Sequence, residues 1–273
     1  MKKIVAFLAF SVFAFAADPW SGADYNKHSA EQKAAAEKTL QSLSFTGDEQ
    51  ILDIGCGDGY LTSRIGDQVP DGLVVGLDLS PSMISFASGQ FARSGVEFRA
   101  LDARQLDYEN RFDLVTSFTT LHWIPEQLEV LERIEKALRP SGRLIADMPT
   151  CLPAPLEQAV NETMEKTAWS SYFDGFSPGW RFFSAQEYEE LLYQANLEPS
   201  KIQQIVVPHA FPSKQAFMGF LKQWFPYLRP LPEEQKMLFL GQVVDRYLEL
   251  FPADKEGRPV FEVNRLRIEA CKN

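Results

Sequence analysis

One run, Ile51-Leu52-Asp53-Ile54-Gly55-Cys56-Gly57-Asp58-Gly59, limits what this chain can become more than any other stretch. Gln50 to Ile54 reads as a short buried strand, and helical spacing resumes from Tyr60 to Ile65. The glycines between them let backbone approach a ligand with no Cβ in the way. A strand, a glycine bend and a helix in that order open a doubly wound sheet, whose ligands bind at the carboxyl edge of the strands. About twenty residues on, Leu73 to Asp78 forms a second strand, and Asp78 at its end is placed to accept hydrogen bonds from a ribose diol.

The alternation continues down the chain. Ser80-Pro81 starts a helix towards Phe91, with proline at its first position. Val96 to Ala100 and Phe112 to Phe118 read as strands three and four, and Pro125 opens a helix from Glu126 to Leu138. Pro140-Ser141-Gly142 turns into a fifth strand, Arg143 to Met148. Such alternation predicts an α/β fold: a doubly wound, mostly parallel, seven-stranded sheet with helical cover. Beyond Pro149 the pattern loosens. Ser184 to Glu187 resembles a capping box for a helix ending near Asn196, and Ile202 to Val207 a sixth strand. Residues 213–250 look helical in two pieces, and Val260 to Ala270 alternates as a last strand. The expected organisation is one domain over 17–273. Residues 150–183, rich in proline, glycine and aromatics, and residues 208–258 are its lid or substrate-side insertions. Another helix-prone run spans His28 to Leu43.

Charge narrows the partners. The formal net charge is −10, so no basic surface waits for nucleic acid. The three cysteines, Cys56, Cys151 and Cys271, are far apart and odd in number, which suggests neither a disulfide framework nor a zinc site. No metal-ligand spacing occurs. The expected partner is a small molecule, and the expected state a monomer.

The first residues stand apart. Lys2 and Lys3 precede an apolar stretch from Ile4 to Phe15 and an Ala14-Phe15-Ala16 site, the layout of an export signal. The stretch is short for a permanent span. Cleavage after Ala16 removes two lysines and takes the charge from −10 to −12. Residues 1–16 either direct export or associate the domain with a membrane. Export would conflict with any activity that draws on a cofactor made in the cytosol.

Three details separate the nucleotide-like ligands that such a bend could hold. The loop lacks the third glycine of a dinucleotide fingerprint, since GCGDG is followed by Tyr60. Asp53 lies just before the loop, an acid ill-suited to a pyrophosphate. Asp102 follows the third strand, where a carboxylate can accept from an adenine amino group. S-Adenosylmethionine carries an ammonium and a sulfonium and no phosphate, so acids there favour it. The bland alternative makes Asp53 and Asp102 turn or cap residues.

At this point the sequence resembles a class I methyltransferase, and more narrowly the trans-aconitate and juvenile hormone acid methyltransferases. ILDIGCGDG, GLDLSPSMI and FDLVTSFTTLHWIPE carry the likeness. The resemblance implies that Asp53, Gly55 and Gly57 line the methionine part of the cofactor and that Asp78 binds its ribose. Leu79 and Met83 would pack near the adenine, with Asp102 and Ala103 at its edge, and Phe118 near the sulfonium. Tyr25 and His28 would close over it from an N-terminal helix.

The substrate side is less determined. A sulfonium methyl needs only an aligned nucleophile and the exclusion of water. Tyr25, Phe118 and Trp123 offer aromatic faces to a positive sulfur. His122 and Trp123 follow the fourth strand at the edge facing substrate, and both can donate to a carboxylate. His122 reads as a general base, a substrate hydrogen-bond partner or a packing residue; Trp123 reads equally as a wedge between sheet and helix. A polyanionic substrate would need local cations against the net negative field, and Arg181 and Arg229 are the candidates, unless both are surface residues. The expected activity is methylation of a carboxylate on a small or lipid-like acid. The alternatives are hydroxyl or nitrogen methylation with His122 as base, or an exported, non-catalytic binder of the cofactor.

Overall fold

The computed structural model describes residues 20–28, 33, 37, 38, 40, 41 and 43–273. The expected export signal lies outside the described residues. Among the described residues no helix is long and apolar enough to cross a membrane. The strands are β1 (Gln50–Ile54), β2 (Leu73–Asp78), β3 (Val96–Ala100), β4 (Phe112–Phe118), β5 (Leu138–Pro149), β6 (Leu197–Ala210) and β7 (Val260–Lys272). The helices are α1 (Gly22–His28), α2 (Tyr60–Gly66), α3 (Pro81–Phe91), α4 (Gln127–Ala137), α5 (Ala154–Met164), α6 (Ala185–Gln194), α7 (Lys214–Lys222) and α8 (Glu233–Leu250).

The strands form one sheet in the order β3-β2-β1-β4-β5-β7-β6. Strands β1 to β5 are parallel, and β7 runs antiparallel to both β5 and β6. Side chains alternate across each strand. Leu52 and Ile54 therefore point into one core layer, with Val75, Leu77 and Val115 and with Leu131 and Ile134 of α4. Ile51 points the other way, to Val74, Leu114 and Ile65 of α2. Each such aliphatic side chain, wholly removed from water, stabilises the fold by about 1.5–3 kcal/mol. Burial on both faces is why the central strands read as continuous apolar runs. Consecutive strands diverge to either side of β1, so the loops after β1 and β4 part and leave a crevice between them.

Most elements fall where the periodicity puts them. Ser80 caps α3 by accepting from the Met83 N–H at 3.1 Å, and the capping box of Ser184 and Glu187 is present at α6. Three boundaries differ. Strand β6 is longer than Ile202–Val207 because it is the sheet edge, where Glu198, Lys201, Gln203 and Gln204 face solvent and mask the pattern. Strand β5 begins at Leu138, and a turn through Ser141 (φ 66°) shifts its register on β4 before Arg143. Among the described residues the first helix is α1, ahead of the expected His28–Leu43 run, of which only part is described.

Residues 150–183 and 208–258 share an apolar core of their own. Leu156 and Val160 of α5, Phe217 of α7, and Phe239, Val243 and Tyr247 of α8 form a second apolar core with Phe261 and Val263 of β7. The Tyr247 hydroxyl donates to the Val260 carbonyl at 2.6 Å, tying α8 to the last strand. That second core stands over the crevice side of the sheet through β6 and β7.

Candidate active site

The bend after β1 is held from below and from the side. Gly55 and Cys56 donate their N–H groups to the Leu77 carbonyl at 2.7 and 2.9 Å. Gly55, Gly57 and Gly59 all take the left-handed φ that glycine adopts without cost (76°, 53° and 80°). Their surroundings differ. A Cβ on Gly55 would run into Thr120, and one on Gly59 would lie 2.6 Å from Ala87 and 2.8 Å from Phe98. At Gly57 the nearest atom would be Tyr25 Cε1 at 4.0 Å, so this glycine faces open space beneath the Tyr25 ring.

Three acids surround that space. Asp78 accepts from the Gly57 N–H at 3.0 Å and the Ser80 N–H at 2.8 Å, which fixes the carboxylate at the loop's edge. Asp58 is buried and ion-paired with Lys33 at 2.9 Å. Asp53 sits under the bend, 2 % exposed, accepting from Thr62 Oγ1 at 2.6 Å and Thr116 Oγ1 at 2.9 Å. Burial pushes its carboxyl up to about 6, against the pull of both hydroxyls. Asp53 therefore sits buried at the base of the bend, its carboxylate fixed by two hydroxyls.

On the far side of Asp78, Leu79 is 62 % exposed while Met83 and Ala103 are buried. Asp102 caps the turn Ala103–Gln105, accepting from the Arg104 N–H at 2.9 Å, and pairs with the Arg104 side chain at 2.7 Å. Arg104 holds its carboxyl below the usual range. The cap role weighed for Asp102 is thus present, with the carboxylate held by Arg104.

Across the crevice, β4 ends at Phe118, and Thr119, Thr120 and the turn Leu121–Trp123 follow. His122 is 3 % exposed and lies parallel to Phe182, ring centres 6.1 Å apart. Its Nδ1 has no hydrogen-bond partner among the described residues. Burial, with Arg265 nearby, pulls its pKa down to about 3, so the ring is neutral. Burial also pushes the Tyr25 phenol well above its ordinary value. Trp123 packs against Trp20, Trp180 and His122, with centroids 6.0, 5.3 and 5.1 Å away. Trp180 in turn meets Trp224 and Tyr227 at 6.1 and 6.0 Å, which continues the aromatic wall into the second core.

The two candidate arginines separate. Arg229 lies 5.4 Å over the Trp123 ring, its Nη1 donating to the Pro178 carbonyl at 3.4 Å, and no carboxylate pairs with it among the described residues. Arg181 is not in the site. The side chains of residues 180–183 part: Trp180 and Phe182 face the aromatic wall, and Arg181 turns away onto Phe183, 4.6 Å above its ring, in a separate surface cleft with Glu126 and Glu129. Only its N–H serves the region, donating to the His122 carbonyl at 2.8 Å. Sequence reasoning missed Thr119, Phe182 and Arg265. The last had a signal: Arg265 and Arg267 stand two apart, on one face of an interior strand.

A sheet of this order, with a glycine bend ringed by carboxylates at its switch point, defines a class I S-adenosylmethionine-dependent methyltransferase. The chain belongs to the methyltransferase-domain family, whose model matches residues 45–204. It is similar to the trans-aconitate 2-methyltransferase of Shigella flexneri, 28% identical over 92% of this chain and 97% of that one. It is also similar to the trans-aconitate 2-methyltransferase of Sinorhizobium medicae, 27% identical over 93% and 99%. Among solved structures, the fold matches YcgJ of Bacillus subtilis at TM-score 0.58 and 17% identity, covering 88% of this chain and 99% of that one. The Haemonchus contortus phosphoethanolamine N-methyltransferase 2, in complex with S-adenosyl-L-methionine, matches at 0.59 and 17% identity over 92% and 56%.

The residues present suit that cofactor. Open space in front of Gly57 and an acid at the ribose position would hold a nucleoside. The carboxylates of Asp53, Asp58 and Asp78 give the bend a negative field that suits a positively charged ligand.

Proposed function

We propose that this enzyme methylates a carboxylate of a small or lipid-like organic acid, with S-adenosylmethionine as donor. When bound, the cofactor supplies a methyl group made electrophilic by its sulfonium. Gly57, Asp78, Leu79 and Met83 would hold its nucleoside, and Tyr25 would cover it. The observation that carries the acceptor class is the state of His122. Buried against Phe182, with no acid beside it among the described residues, this imidazole is a feeble base at neutral pH. A hydroxyl or ammonium acceptor would need its proton taken, whereas a carboxylate with a pKa of about 4 arrives ionised.

The work left to the chain is positioning and exclusion of water. Trp123, Trp180, Phe182, Trp224 and Tyr227 form a wall that suits an apolar body, and Arg229 over Trp123 suits an anionic group at its rim. Kinship with enzymes named for trans-aconitate, covering nearly their whole length, supports the same acceptor chemistry. The test is incubation of the purified protein with methyl-labelled cofactor and a panel of trans-aconitate, octanoate, octanol and octylamine. Label released as methanol by mild alkali, from an acid, is the expected result. Base-stable label on the alcohol or amine would overturn the reading.

A further inference from the structure

Asp147, at the carboxyl end of β5, receives two guanidinium groups. Arg265 binds Oδ1 through Nε, and Arg267 binds Oδ2 at 3.0 Å. One arginine balances one carboxylate and is enough to clamp β5 to β7. The second leaves the cluster with a net positive charge, although the Arg265 side chain is only 15% exposed. The Arg267 side chain is 40% exposed and keeps its charge in water, so the surplus leaves Arg265, held close against the sheet, able to take an anion at its free edge. The fork of Arg265 is also held in place. Its Nη2 donates to Thr119 Oγ1 at 2.6 Å, while its Nη1 has no partner among the described residues. Thr119 is held with φ at 57°, a conformation that a β-branched side chain resists, by its own N–H on the Asp147 carbonyl at 2.7 Å. It follows Phe118 directly, at the edge of the crevice, and the charge of Arg265 acts on both His122 and Tyr25.

We propose that Arg265 is the anion receptor of the acceptor pocket, its free Nη1 edge taking a carboxylate oxygen of the substrate while Asp147 and Thr119 hold the fork in place. The proposal rests on the carboxylate reading above and supplies the cation that an acidic chain needs to draw an acid in. Arg229 then marks the rim of the pocket, and Arg265 its floor.

Calorimetry on the protein saturated with S-adenosylhomocysteine tests it, with octanoate and its neutral counterpart octanamide as probes. Wild-type protein should bind octanoate at least about tenfold more tightly than octanamide, the scale of a charge-assisted hydrogen bond. Arg265→Met should lose that preference and leave octanamide and S-adenosylhomocysteine affinities within about twofold. Arg265→Lys keeps a cation for Asp147, guards against misfolding, and should retain part of the preference. A merely structural clamp would instead lower the affinity for both probes together. An Arg265→Met protein with its preference intact, or a wild type with none, overturns the proposal. The two levels separate cleanly. Wild-type protein that forms methyl esters, with an Arg265→Met variant of unchanged KM, sinks this inference alone. A wild type that esterifies no acid sinks the carboxylate reading and this inference with it.

Discussion

Asp53 carries its charge in a place that resists it. Its folded-state pKa is about 6 against an ordinary 3.8, so between these values the folded state binds the proton that the unfolded state releases. Stability from this group is therefore highest below pH 3.8 and falls as pH rises through 6. The loss at neutral pH is on the order of 3 kcal/mol. Asp53→Asn should raise the melting temperature at pH 7.5, with the gain vanishing near pH 4, and should weaken cofactor binding, read by calorimetry. A variant less stable at both pH values would show that the Thr62 and Thr116 hydrogen bonds outweigh desolvation. His122 has the opposite sign. Its pKa is lowered by burial, so the stability it contributes is present above pH 6.5 and is lost as pH falls below. His122→Ala should keep kcat within about tenfold, where a general base would cost about 10²–10⁴. A loss of the larger size, with a new pH dependence between 5.5 and 8, would restore the base role.

At the scale of elements, the β1–α2 bend shows how far a motif can be read. The spacing of Gly55, Gly57 and Gly59 announces a close backbone approach, but not which glycine meets protein and which meets ligand. Packing decides that. Gly59 abuts Ala87 of α3 and Phe98 of β3, whereas Gly57 opens towards Tyr25. Gly59→Ala should destabilise the protein by about 2–4 kcal/mol in urea melts, through strain and overpacking together. Gly57→Ala should cost only the conformational part, about 1–2 kcal/mol, and lose cofactor affinity disproportionately. Equal losses of stability in the two variants would contradict this division. The segment Gly179-Trp180-Arg181-Phe182-Phe183 carries a parallel lesson. The residues alone leave open which of them faces the site; only the folded segment turns Trp180 and Phe182, and not Arg181, towards His122 and Trp123.

The whole molecule has two cores on one sheet. One is the layered interior of β1 to β5, and the other is the aromatic cluster of α5, α7 and α8 against β6 and β7. The second core carries the wall of the acceptor pocket, so its stability and substrate binding are coupled. Phe239 is wholly buried there and meets Trp169 and Phe173. Phe239→Ala should cost about 3–5 kcal/mol and raise KM for the acceptor more than Kd for the cofactor, since the cofactor site belongs to the other core. Steady-state kinetics beside cofactor calorimetry would check this, and equal shifts in both would count against the division.

The order of strands and helices, the glycine bend, Asp78 at the second strand end and the acid-rich character of the cofactor site were legible in the residues alone. All of these are set by local periodicity and by contacts close in sequence. The pairing of Arg265 with Asp147 and Thr119, the depth at which Asp53 is buried and the turning away of Arg181 were not legible. Each depends on which strands become neighbours and on how deeply a charge is buried. Asp147 and Arg265 lie over a hundred residues apart, and antiparallel pairing of β7 with β5 is what brings them together.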